Sequence, residues 1–263
     1  MINFKNKTIL ITGGSSGIGE AMAYRFAELG ANLILTGLDT EDLEKVRNQC
    51  ATLGVEAHSF ECDFSSLNAI DELVDFIEKE HFTIDVFVLN AGISQRALAL
   101  ETHFDVDKKL MDINFFSSVY LIKKLNAHLK SAKHISIAVT TSISGLFGFP
   151  LRSIYCASKH ALFGFFESLD LENENINVTF LIPGRINTQI SKSALLANGE
   201  SYKKMDQGQA KGMDVTQCAK IAVRAIAQKK RRKLIGKKEL LMVYIHKYFP
   251  ALYYKLAKKI SST

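Results

Sequence analysis

Cysteine is scarce in this 263-residue chain: only Cys50, Cys62, Cys156 and Cys218, all far apart. That spacing fits neither a metal-ligand set nor a disulfide scaffold, so no metal site is expected and a reducing cytoplasm is the compartment it suggests. No stretch approaches the ~18 apolar residues of a membrane-spanning helix. The opening Met-Ile-Asn-Phe-Lys-Asn-Lys runs into a strand-like segment without the apolar region of a signal peptide. Interdomain linkers, internal repeats and low-complexity runs are also lacking. What remains is a chain that is 47% hydrophobic, enough for a substantial core and unlike a disordered polymer.

Charge is unevenly spread. Of 33 lysines and arginines, twelve lie from Arg224 onward, against a single acid there, Glu239. The tail is therefore net +11 and the rest net −5, within an overall +6. Positive charge confined to one end argues against a general nucleic-acid surface, and no nucleic-acid partner is expected.

Short apolar strands alternate with longer amphipathic helices. Strand patterns fall at 8–12, 33–36, 55–60, 86–89, 135–139 and 178–182, with a last one near 234–235. Helical patterns cover 18–29, 41–53, 69–79, one long region 106–129, and 153–172. Such β-α repetition predicts an α/β fold: a doubly wound parallel sheet of Rossmann type, with its ligand crevice at the carboxyl ends of the strands. One domain is expected over 1–236, followed by a basic helical appendage over 237–263.

The first strand ends in Thr12-Gly13-Gly14-Ser15-Ser16-Gly17-Ile18-Gly19 and opens a helix. Glycines there let backbone N–H groups at a positive helix end approach a phosphate. The run is not the usual GxGxxG, since Met22 takes the last position. Further on, Tyr155 and Lys159 stand at i and i+4, on one side of a helix. A nearby ammonium favours tyrosinate and so makes a tyrosine a usable general acid/base. The hydroxyl of Ser142 can donate a hydrogen bond to a substrate carbonyl and polarise it. Taken singly, each of these is also compatible with a surface pair or a loop residue.

Together they resemble the short-chain dehydrogenase/reductases, over nearly the whole chain to about Gly236. The TGxxxGxG pattern is met by Thr12, Gly13, Gly17 and Gly19, and Asn90-Ala91-Gly92 matches the family's Asn-Ala-Gly after the fourth strand. The resemblance implies an oxidoreductase moving a hydride between a nicotinamide cofactor and a carbonyl or secondary alcohol. It implies Tyr155 as proton donor/acceptor, Lys159 as the residue that lowers its pKa and binds the ribose, Ser142 as substrate-orienting, and Asn114 as support of a proton relay. By the same resemblance, cofactor contacts are expected from Gly13, Ser15, Ser16, Gly17, Ile18, Gly19, Leu38, Asp63 (adenine), Asn90, Ala91, Gly92, Tyr155, Lys159, and Pro183, Gly184, Ile186 and Thr188 (carboxamide).

An acid at the end of the second strand would hold a 2′-hydroxyl and repel a 2′-phosphate. Gly37 occupies that place, Leu38 stands where NADP-preferring members often have arginine, and Asp39 follows. The reading tilts to NADP(H) over NAD(H). Arg96, Arg152 and Arg185 flank positions that line the active-site mouth in this family, which suggests an anionic substrate or, more simply, solvated arginines with local partners.

In the tail, Leu252, Tyr253, Leu256 and Ile260 share a helical face opposite Lys255, Lys258 and Lys259. That pattern suits a peripheral membrane contact or an apolar face packed on protein. The tail, with Val106-Asp107-Lys108 and the segment from Pro150 to Tyr155, resembles a membrane-associated branch acting on ketones such as acyl-dihydroxyacetone phosphate, and favours a hydrophobic or lipid-like substrate. Relatives commonly pair through the long helices, so a homo-oligomer, dimer or tetramer, is expected. Two other functions fit the same fold: a non-catalytic nucleotide sensor, and a membrane-recruited interaction module.

Overall fold

In the computed structural model, which describes residues 1–259, seven strands form one parallel sheet. They are β1 (Thr8–Thr12), β2 (Asn32–Gly37), β3 (Ala57–Glu61), β4 (Val86–Leu89), β5 (Ile135–Thr140), β6 (Ile176–Pro183) and β7 (Arg232–Ile235), in the order β3-β2-β1-β4-β5-β6-β7. The order reverses between β1 and β4, and a crevice opens there at the carboxyl ends.

Both faces of the sheet are covered because the inner strands place apolar residues on either side. Ile9, Ile11, Leu33, Leu35, Val86 and Val88 form one core with α1 (Gly17–Glu28), α2 (Thr40–Ala51) and α9 (Val215–Ala227). Leu10, Ile34, Phe87, Ile137, Val139 and Phe180 form the other, with α3 (Leu67–Lys79), α5 (Ser117–Lys124), α6 (Asn126–Ser131) and α7 (Ser153–Glu172). The helix starts are locally encoded: Asp39, Ser66 and Asp214 each accept an N–H of the first turn, from Asp42, Ala69 and Gln217.

The long helix expected over 106–129 is broken. α4 (Phe104–Met111) passes into a π turn at Asp112–Phe116, then α5, and a kink at Leu125 separates α6. The π turn swings Asn114 inward, where its side chain replaces backbone partners for Ile93. Residues 192–213 form an irregular segment ending in the single-turn α8 (Gln207–Ala210).

The appendage is two short helices, α10 (Leu241–Tyr248) and α11 (Pro250–Ala257), with Pro250 opening the second. Of the apolar face read from the sequence, Tyr253 is buried and Leu256 half-buried, whereas Leu252 is exposed and Ile260 lies outside the described residues. Tyr253 and Ala257 belong to the core on the α7 side. The Tyr253 ring joins Phe147 and His246 at centroid distances of 5.1 and 4.8 Å, and its hydroxyl donates to the Gly148 carbonyl. No helix among the described residues is long and apolar enough to cross a membrane.

Candidate active site

The glycine turn after β1 has the shape its sequence requires. Gly13 and Gly17 have φ of +65° and +59°, and a Cβ on Gly13 would lie 2.9 Å from Ala91 Cα. A Cβ on Gly19 would overlap the Gly13 carbonyl. Thr12, at the end of β1, accepts the N–H groups of Asn90 and Ala91 at 2.9 and 3.0 Å, so the two loops are locked together. At the start of α1 the Ser16 side chain makes no capping bond, leaving first-turn N–H groups to face the crevice.

From that helix end the cavity runs past Asn90-Ala91-Gly92 to Ser142, Tyr155 and Lys159, and is closed by Pro183, Gly184, Ile186 and Thr188. It is elongated, with anion-binding backbone at one end and titratable side chains at the other. A dinucleotide with a phosphate bridge in the middle fits this arrangement.

Tyr155 and Lys159 are both buried on one side of α7. The Lys159 ammonium lies 6.0 Å from the Tyr155 ring centroid and donates to the Thr140 carbonyl at 3.0 Å. Burial pushes the Tyr155 phenol above its ordinary value, against the opposing pull of the neighbouring Ser142 hydroxyl and Arg152 guanidinium. Burial pushes Lys159 down, to about 8. The sequence reading gave Lys159 the task of lowering the phenol. Ser142 and Arg152 pull in the same direction, and burial outweighs both.

Asn114 lies behind Gly92, its side chain bonded to the Ile93 N–H at 2.8 Å, the Ile93 carbonyl at 3.0 Å and the Ser158 hydroxyl at 3.0 Å. It braces the Asn90–Ile93 loop against the α7 wall with both amide hydrogens used, while Oδ1 accepts one N–H and keeps a second acceptor site. Gly19 and Ser15 support the turn from beneath, Ser15 against Gly37. Leu38 is 64% exposed and outside the cavity. Asp63 also lies off it, its carboxylate accepting the Ser65 N–H and hydroxyl, each at 2.8 Å. Asp39 is occupied as the cap of α2.

The three arginines divide. Arg96 is a buried strut: its side chain is 3% exposed and pairs with Asp206, while Nη1 donates to the Ser94 hydroxyl at 2.9 Å and the Gln95 carbonyl at 2.6 Å. Arg152 makes one bond to the same carboxylate, at 3.2 Å, and lines the cavity beside Tyr155. Arg185 is exposed and lies over Gly208, lining a second cavity that adjoins the first at Ser142 and Arg152. Ile143, Phe149, Pro150 and Met242 give that second cavity an apolar wall.

Two residues were missed in the sequence. Gln95 accepts the Ile154 and Tyr155 N–H groups at 3.1 and 3.4 Å, standing in for the cap that Arg152 cannot supply. Asp206 holds the 192–213 segment to both Arg96 and Arg152. Neither has a local signature; each acts on a partner more than fifty residues away.

The model of the family described as short chain dehydrogenase matches residues 7–198. This chain belongs to that family. Among curated relatives, the dehydrogenase/reductase SDR family protein 7-like of Drosophila melanogaster is 36% identical over 260 residues, which cover 96% of this chain and 80% of that protein. A short-chain dehydrogenase/reductase from Burkholderia phymatum, solved in complex with NAD, superposes with a TM-score of 0.85 at 22% identity, covering 96% of each chain. An alcohol dehydrogenase from the archaeon Thermococcus sibiricus, complexed with 5-hydroxy-NADP, superposes at 0.77 with 24% identity, over 89% of this chain and 97% of that one. The short-chain dehydrogenase described here is thus an oxidoreductase with a nicotinamide-type site, its sheet and cavity built as the family's fold requires.

Proposed function

We propose that this enzyme reduces a hydrophobic carbonyl compound to the alcohol, with NADP(H) preferred over NAD(H) and Tyr155 as the proton donor. The observation that carries this reading is the buried Tyr155, which lines one cavity with Ser142, Lys159 and the first residues of α1. When bound, the nicotinamide group supplies the hydride. Gly13, Ser16, Gly17 and Ile18 would hold its phosphates, Lys159 its ribose, and Pro183, Gly184, Ile186 and Thr188 its carboxamide side.

Ser142 donates to the substrate carbonyl oxygen and fixes it beside the Tyr155 hydroxyl. Because burial keeps that phenol protonated at neutral pH, Tyr155 is poised to give a proton to the developing alkoxide, which is the reductive direction. The apolar wall of the adjoining cavity, Ile143, Phe149, Pro150 and Met242, supports a hydrophobic substrate. Gly37 at the end of β2 offers no carboxylate to a 2′-hydroxyl, which supports NADP(H).

Outside the cavity, Leu241, Tyr244, Tyr248, Phe249, Leu252 and Tyr254 are exposed among the tail lysines, which supports peripheral contact with an anionic membrane. Exposed Phe104, Phe116 and Leu171, on or beside the helices α4, α5 and α7, support pairing with a second copy. The test is turnover of NADPH and NADH against alkyl, aryl and acyl ketones. Turnover with NADPH is expected; a strong preference for NADH overturns the cofactor choice, and binding without any turnover argues against the reductase reading. Sedimentation with phosphatidylserine vesicles at low salt tests the tail: binding lost on changing Lys247, Lys255 and Lys258 to Glu is expected, and no binding by the unaltered protein contradicts it.

A further inference from the structure

The single acid of the basic tail is not a counter-ion. Glu239 sits in a 3₁₀ turn (Lys238–Leu240) between β7 and α10, half-buried, with its carboxylate pointing back into the turn that follows β6. Its Oε1 accepts the Arg185 N–H at 2.9 Å and the Lys237 N–H at 3.0 Å. Both neighbouring loops are shaped to admit it. A Cβ on Gly184 would lie 2.5 Å from Oε1, and one on Gly236 would overlap the same oxygen. The Gly184 N–H is held in parallel by the Ile235 carbonyl at 2.8 Å, and Lys237 Nζ donates to the Gly212 carbonyl at 2.7 Å. The 235–239 stretch therefore ties down both the Pro183–Ile186 turn and the end of the 192–213 segment. Three residues further on, the same chain contributes Met242 to the cavity beside Ser142.

We propose that Glu239 is a positioning residue for the cofactor: it fixes the Pro183–Ile186 turn that closes the nicotinamide end of the site, and so makes the C-terminal appendage part of the active centre. The inference rests on reading that cavity as a nicotinamide site. It depends on reach, because the carboxylate crosses from its own turn to the Arg185 N–H of the other loop, and not on the charge of the tail. Gln can place the same oxygen on the Arg185 N–H; Asp keeps the charge but is one methylene short.

The experiment uses the full chain and compares NADP⁺ with 2′-phospho-ADP-ribose, which lacks the nicotinamide. For Glu239→Asp and Glu239→Ala, the Kd for NADP⁺ is expected to rise on the order of tenfold, the worth of about one hydrogen bond. The Kd for 2′-phospho-ADP-ribose is expected to stay unchanged, and Glu239→Gln is expected to restore NADP⁺ binding. In the ligand-free protein, hydrogen exchange at the Arg185 amide should rise in the Asp and Ala variants and remain slow in the Gln variant. Equal losses for both ligands, no loss for either, or a Gln variant worse than Asp would overturn the proposal. If the unaltered protein binds neither ligand, the reading of the cavity fails instead.

Discussion

Asp206 is the most exposed weakness of the site. One buried carboxylate serves two guanidiniums, Arg96 at 3% exposure and Arg152 at 25%. In Asp206→Ala, Arg96 keeps only the Ser94 hydroxyl and the Gln95 carbonyl, and a second cation remains beside it. Breaking a buried pair by removing one partner costs about 3–5 kcal/mol, because the remaining charge is left in a poorly solvating place. For a chain of this size each kcal/mol lowers Tm by roughly 2–4 °C, so a fall of about 6 °C or more is expected by calorimetry. If the 192–213 segment releases first, part of that loss appears locally, as faster trypsin cleavage at Lys203 and Lys204. The unpaired guanidiniums also favour tyrosinate, so the alkaline limb of the reduction rate should move to lower pH. Replacing the pair with apolar residues, Arg96→Met with Asp206→Leu, should recover much of the stability. A Tm within about 1 °C of the unaltered protein together with unchanged proteolysis would refute the reasoning.

Two further outcomes follow from the same geometry. Lys159 is held near 8 by burial against an ordinary 10.5, so its charging costs about 3 kcal/mol at pH 7, of which its bond to Thr140 returns about 1. Lys159→Met should therefore be inactive yet more stable at pH 7. The advantage should shrink as pH rises from 8 to 10.5, where the unfolded lysine still binds a proton and the folded one no longer does. Urea titrations at pH 7 and near pH 10 check this, and a less stable variant at pH 7 contradicts it. Tyr253→Phe leaves the Gly148 carbonyl without its donor, so a loss of about 1–3 kcal/mol and a raised KM for the carbonyl substrate are expected, since the next residue, Phe149, lines the cavity. An unchanged KM would show that the tail does not shape that wall.

The parts legible in the sequence are those with a local cause. Short apolar runs located the inner strands, because a sheet buried on both faces needs apolar residues at nearly every step. The glycine turn was readable because steric exclusion at Gly13 and Gly19 leaves no other residue. Where the chain meets itself over long distances, the sequence was silent. Nothing in 106–129 marks the π turn; it forms because Asn114 bonds to Ile93, twenty-one residues away. Gln95 and Asp206 read as ordinary polar residues until α7 and the 192–213 segment are brought against them. The tail's periodicity showed an apolar face but not its partner, and Tyr253 turns out to lie against Phe147. The arginines were placed at the cavity mouth by the sequence, but their pairing was not legible: Arg96 and Arg152 share an acid more than fifty residues further on, and Arg185 joins Arg152 in the adjoining cavity.

The measurement that bears most directly on the central claim is the behaviour of Tyr155→Phe. The substitution removes one oxygen from a buried ring and leaves the cavity wall in place. Nicotinamide oxidation by a reducible ketone should fall to background, while NADPH binding, followed by quenching of its fluorescence, stays within a few-fold of the unaltered protein. Retained turnover in that variant would contradict the assignment of Tyr155 as the proton donor.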